Sequence, residues 1–192
     1  MSLSQEITLK TSQTESLLKE ALFIFAASLF IALCSQISVP LFFTPVPMTL
    51  QTFAIAMTGW ALGSKRGALA VLMYLLEGAM GLPVFSHLHS GIGSLIGPTG
   101  GYMFGFIFGA IISGSITHRS TSFPRLALGF FLCSAAIHLC GLPWLSLWVG
   151  AERTLQLGLL PFILGDLVKI GLSISSAKLW HPKKQLNFPG PV

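Results

Sequence analysis

Six apolar runs set the limits on this chain. They fall at about 20–37, 49–63, 67–80, 99–117, 125–142 and 156–179, separated by short polar or proline-containing turns. A helix needs roughly 20 consecutive apolar residues to cross the hydrocarbon of a bilayer. In 192 residues six such runs leave little chain for a water-soluble domain. The pattern predicts an all-α integral membrane protein with six transmembrane helices. Residues 1–18 form an N-terminal cytoplasmic segment, 19–180 the membrane domain and 181–192 a cytoplasmic C-terminal tail. The second and third runs are short, roughly 15 residues or about 21 Å at 1.5 Å per residue. They span only where flanking loop residues enter the bilayer or the membrane thins.

Charge supports the count. Only 9% of residues are Asp, Glu, Lys or Arg, while 53% are hydrophobic, against about 25% charged residues in soluble domains. That excludes a water-soluble enzyme and a disordered tail. The net charge of +5 is too thinly spread to hold nucleic acid. With the N-terminus inside, Lys10, Lys19, Lys65, Arg66, Arg119, Arg125, Lys178, Lys183 and Lys184 are all cytoplasmic. Arg153 alone falls outside, and Lys169 lies within a span. This is the positive-inside pattern, and an odd number of spans would destroy it. Both termini are therefore expected in the cytoplasm, in a multi-pass protein of the cytoplasmic (inner) membrane. The first run has Leu33 before Cys34, too large a residue for lipoprotein cleavage, so it reads as an uncleaved helix. Cys34, Cys133 and Cys140 sit in apolar runs and read as packing residues.

Two outer loops carry no charge. Ser38–Met48 contains three prolines, and 81–98 is apolar and glycine-rich. Such segments either fold as a lid over an outward-facing cavity or form an interfacial hairpin on the helix ends. Gly97, Gly101, Gly105, Gly109 and Ser113 recur every four residues, a row that lets helices approach closely, with internal packing the expected use. Ser28 and Ala32 form a shorter row on the first helix, expected with Ala26 to meet a partner protein.

Ionisable residues inside a membrane need a partner or a cavity. Asp166 and Lys169 are three apart and share a helix face; they form either a structural ion pair or a ligand site. Pro161 and Gly165 are expected to loosen the helix just before them. The pair suits a small amphipathic ligand with NH donors at one end and a carboxylate at the other. Phe42, Phe43, Phe85, Tyr102 and Trp144 are available to enclose an apolar middle. Glu77 has no catalytic context. His87 and His89 have no nearby third metal ligand, and His138 is expected to hydrogen-bond a neighbour. The segment from Gly59 to Lys65 fails the P-loop pattern. An intramembrane enzyme led by Glu77 and His138, or a solitary carrier of another hydrophobic carboxylate, is the alternative to a binding protein.

The order of motifs resembles the BioY family, the biotin-specific substrate-binding (S) components of energy-coupling factor (ECF) transporters. The pieces are Val39–Thr52, Gly63–Ala70, Tyr74–Phe85, Gly97–Tyr102 and Leu164–Lys169, together spanning about residues 36–172. Leu164 stands where the family usually has Pro, Phe42 where a small residue is expected, and Ser86–His89 departs from the pattern. The resemblance implies an S-component-like bundle that takes up biotin with its pocket near the outer face. It implies Asp166, Lys169, Tyr102, Gly101, Phe85, Thr44, Thr49 and Gln51 as substrate-binding residues. Lys169 would hold the valerate carboxylate, and Asp166, with Tyr102, the ureido NH groups. It also implies a transmembrane coupling protein and ATPase subunits as partners. ATP would be used only by those ATPases, and this chain would carry no metal, cofactor or catalytic residue.

Overall fold

The computed structural model describes residues 3–180, with side chains from Thr14 onward. The expected C-terminal tail, 181–192, lies outside the described residues. The first helix, α1, runs from Leu3 to Gln36. No Gly or Pro interrupts that stretch, so the helix runs through the polar N-terminal residues as well as the apolar run.

After α1 the chain makes a short antiparallel ribbon, β1 Ser38–Val39 with β2 Met48–Thr49, pairing Ser38 with Thr49 and Val39 with Met48. The loop between them holds Pro40, Pro45 and Pro47. Helix α2 (Gln51–Leu62) turns at Gly63, φ +81°, into α3 (Ser64–Ala79). A non-glycine residue at that dihedral would be strained. A 3₁₀ turn at Ser86–Leu88 and the short α4 (Ile92–Ile96) lead to α5 (Gly100–Thr117). Helix α6 (Phe123–Val149) follows, then α7 (Ala151–Gly158) and α8 (Leu160–Leu179).

Among the described residues, four helical stretches are long and apolar enough to cross a membrane unaided: Thr14–Gln36, Gly100–Thr117, Phe123–Val149 and Ala151–Leu179. Helices α2 and α3, of 12 and 16 residues, are short, as their apolar runs are. Large apolar side chains stand exposed along α1 (Leu22, Phe25, Leu29, Leu33), α6 (Leu128, Phe131, Leu139) and α8 (Leu164, Leu167, Val168). In water such faces would drive aggregation; on a multi-pass membrane protein they meet lipid.

The expected break before the ion pair lies elsewhere. Pro161 sits in the first turn of α8, where its missing N–H costs nothing, and Gly165 lies within the helix. The backbone departs from helical geometry at Leu159, φ −125°, which divides the run at 156–179 between α7 and α8. Helix α6 runs seven residues past its expected end at 142, through Pro143.

The glycine row of α5 is an internal seam. A Cβ on Gly105 would stand 2.9 Å from the Ile137 carbonyl oxygen, and one on Gly109 3.1 Å from Cys133 Sγ. Ser113, the last of the row, donates to the Ala56 carbonyl of α2 at 2.7 Å. The expectation for α1 is overturned. Ser28 is fully buried and donates to Glu77 Oε1 on α3 at 2.9 Å, and Ala32 is buried too. That face serves the fold because Glu77, a carboxylate in an apolar helix, needs a donor; of the three residues only Ala26 is exposed.

Candidate functional site

Helix α8 presents Asp166 and Lys169 on its inward face, both buried although their neighbours Leu164, Leu167 and Val168 are exposed. Lys169 Nζ lies 2.8 Å from Asp166 Oδ1. It also donates to the Thr49 carbonyl at 3.2 Å. The other carboxylate oxygen, Oδ2, accepts from Ser134 Oγ on α6 at 2.7 Å. His138, one turn further along α6, puts Nδ1 3.0 Å from the Ser134 carbonyl and 3.6 Å from Asp166 Oδ2. A carboxylate accepts about four hydrogen bonds and an ammonium donates three. Acceptor capacity on Asp166 and one N–H on Lys169 thus remain for a ligand.

The pair faces a cavity of about 390 Å³, within the range that holds a small organic molecule. Of the eight residues expected at the site, Asp166, Lys169, Tyr102, Phe85, Thr44, Thr49 and Gln51 line it. Gly101 does not. It faces α6, where a Cβ would clash with Trp144 and stand 2.7 Å from the Cys140 carbonyl oxygen. The motif containing it is a packing motif at that position.

The lining residues act in different ways. Tyr102 donates its hydroxyl to the Gly158 carbonyl at 2.9 Å. It therefore ties α5 to the end of α7 and gives Asp166 no hydrogen bond; its ring stands edge-on to His138 with centroids 5.8 Å apart. Thr49 Oγ1 donates to Gln51 Oε1 at 2.9 Å, and Gln51 Nε2 donates to Tyr74 OH at 2.7 Å. These bonds fix the corner between β2 and α2 and so aim the Thr49 carbonyl at Lys169. Thr44 Oγ1 donates to the Leu157 carbonyl at 2.8 Å, which closes the uncharged loop down as a roof. The paired ribbon thus both covers the cavity, through Leu41, Thr44, Pro45, Val46 and Pro47, and packs on the end of α7.

The apolar wall differs from expectation. Phe85 and Tyr102 belong to it, joined by Val46, Met103, Phe106 and Phe162. Phe42 is fully exposed and Phe43 largely so, because the prolines turn the tip of the loop outward. Trp144 donates Nε1 to the Gly97 carbonyl at 2.9 Å and pins the start of α5. Ser134 and His138 are the residues that sequence reasoning did not assign to the site. Their spacing of four residues on α6 was the available signal, since it puts both on one face.

Comparison with known proteins places this geometry. The model of the BioY family matches residues 6–185. The chain is 40% identical over 148 residues to the biotin transporter BioY of Thermotoga maritima, covering 75% of this chain and 86% of that one. It is 38% identical over 154 residues to a probable biotin transporter BioY of Pyrococcus horikoshii, covering 79% and 91%. A crystal structure of the S-component for biotin from an ECF-type ABC transporter superposes with a TM-score of 0.74, at 26% identity, over 93% of each chain.

Proposed function

The chain belongs to the BioY family, and on that premise we propose how it works: it binds biotin and takes it up as the substrate-specific component of an ECF-type transporter. The observation that carries this is the contact pair Asp166–Lys169 on the wall of a 390 Å³ cavity under an uncharged roof. The resemblance alone splits the pair between the two ends of biotin. Charged atoms 2.8 Å apart present instead one acceptor beside one donor. The ureido group has the complementary pattern, NH beside C=O. Asp166 accepts the ureido NH, Lys169 donates to the ureido oxygen, and Ser134 and His138 hold the carboxylate in place. Phe85, Phe106 and Phe162 enclose the bicyclic ring, and the loop carrying Thr44 closes above it.

The proposal includes six spans, with α2 and α3 crossing as a short hairpin and both termini in the cytoplasm. The positive-inside arrangement of Lys65, Arg66, Arg119 and Arg125 supports it. The membrane is the cytoplasmic one. A transmembrane coupling protein and ATPases supply the energy, so this chain itself needs no cofactor. The test is biotin binding to the purified, detergent-solubilised chain. Desthiobiotin, which keeps the ureido group, should compete. Lipoate, which keeps the acid arm without a ureido group, and thiamine should not. Equal competition by lipoate would reject the reading.

A further inference from the structure

We propose that His87 and His89, at the mouth of the cavity, read the carboxylate end of the ligand. The inference rests on biotin being that ligand. If the Asp166–Lys169 pair is occupied by the ureido group, the acid at the far end of a valerate arm must find its own partner. Among the described residues, the side chains lining the cavity that can carry positive charge are Lys169, His138, His87 and His89, with no arginine. Lys169 is held by Asp166, and His138 stands beside the same carboxylate. The two loop histidines remain.

Their placement sets them apart from the ion pair within the same cavity. His87 Nε2 lies 3.4 Å from Ser38 Oγ on β1. Ser38 is the ladder partner of Thr49 on β2, whose carbonyl accepts from Lys169. A chain of contacts thus runs from His87 through the ribbon to Lys169, and both side chains line the one cavity. The two rings lie with centroids 6.2 Å apart, a spacing that a carboxylate with two oxygens can bridge. A Ser38 hydroxyl donating to Nε2 leaves the His87 ring hydrogen on Nδ1, ready to donate.

The loop is also built to hold these rings. His87 and Leu88 are both left-handed, φ +58° and +59°, a conformation non-glycine residues adopt at a cost and keep where other bonds enforce it. Gln36 enforces it: its Nε2 donates to the Phe85 carbonyl at 2.9 Å, and its Oε1 accepts from the Leu88 N–H at 3.1 Å. Phe85 N–H donates to the His89 carbonyl at 3.1 Å. Both histidines are exposed, as residues that meet an entering acid must be.

The experiment measures the affinity of the full chain in detergent for biotin and for biotin amide, which has the same rings and arm but no charge. The unaltered chain should bind both; binding neither would reject the function proposed above, not this assignment. His87→Gln with His89→Gln should weaken biotin about tenfold, the loss of one hydrogen bond to a charged group, and change the amide less than about threefold. His87→Lys with His89→Gln should restore the acid, because a fixed cation replaces the ring while a merely structural histidine would not be rescued. Lys169→Met should weaken acid and amide alike. Equal losses for acid and amide in the glutamine variant, failure of the lysine to rescue, or an acid-selective loss in Lys169→Met would each overturn the proposal.

Discussion

Thr44 and Leu157, 113 residues apart, are joined by a 2.8 Å hydrogen bond from the threonine hydroxyl to the leucine carbonyl. Leu157 lies in the last turn of α7, just before the break at Leu159, where carbonyls lack helical partners. The bond ties the roof of the cavity to the end of α7. Thr44→Val keeps the shape and removes the tie. A neutral hydrogen bond is worth about 0.5–1.5 kcal/mol, so biotin should dissociate roughly two- to tenfold faster in a chase with unlabelled ligand. A probe attached at the exposed Phe43 position should lose mobility when biotin is added. An unchanged dissociation rate would reject the tie.

Gly105 tests the seam between α5 and α6. A Cβ there meets the Ile137 carbonyl oxygen at 2.9 Å and its Cα at 3.0 Å, both backbone atoms that cannot rotate away. Gly105→Val should force the helices apart, at about 1–3 kcal/mol for overpacking, and lower the thermal midpoint in detergent. Gly101→Ala, which presses on Trp144 and the Cys140 carbonyl, should lose stability and biotin affinity together, since Trp144 pins the start of α5. A thermal midpoint unchanged in both variants would place the helices further apart than described.

The parts legible in the sequence are those that rest on local pattern. Long apolar runs mark helices because each buries its own backbone hydrogen bonds, and Asp166 with Lys169 stands out because charge is rare there. What escaped depends on how separate helices cross. Ser134 is 32 residues from Asp166, and nothing near it in the chain marks it as a partner. Gly101 shares a motif with Tyr102, yet successive residues on a helix point about 100° apart, so one faces α6 and the other the cavity. The fifth apolar run ends at 142, yet α6 continues through Pro143; Leu159, where the helix does break, is an apolar residue in an apolar run. Ser28 read as part of a partner surface because its acceptor, Glu77, is 49 residues away.

The proposed six-span arrangement predicts which loops face which side. Cys34 and Cys133 are buried and Cys140 partly so; all three can be replaced by Ala to give a silent background. A cysteine at Ser90, in the exposed loop at the cavity mouth, should react with an impermeant thiol reagent added to intact cells. One at Ser120, beside Arg119 at the opposite end of α5, should react only after the membrane is opened. The reverse labelling would invert the orientation and place the cavity in the cytoplasm.

Ser134 separates an oriented carboxylate from a merely buried one. Its hydroxyl donates to Asp166 Oδ2 at 2.7 Å while Lys169 holds Oδ1, so the carboxylate is clamped from two helices. Ser134→Ala removes one arm of that clamp and leaves the ion pair. Hydrogen bonds to charged groups are worth about 1.5–3 kcal/mol, so biotin affinity should fall roughly ten- to hundredfold. Asp166→Asn keeps the size but leaves Lys169 without its anion, so it should weaken biotin and also lower stability. The decisive quantity is the coupling between the two changes. If Ser134 acts through the carboxylate, adding Ser134→Ala to Asp166→Asn should cost much less than it does alone, a coupling of about 1 kcal/mol or more in a double-mutant cycle. Simple addition of the two losses would show that Ser134 touches the ligand by another route and that Lys169 alone fixes the carboxylate.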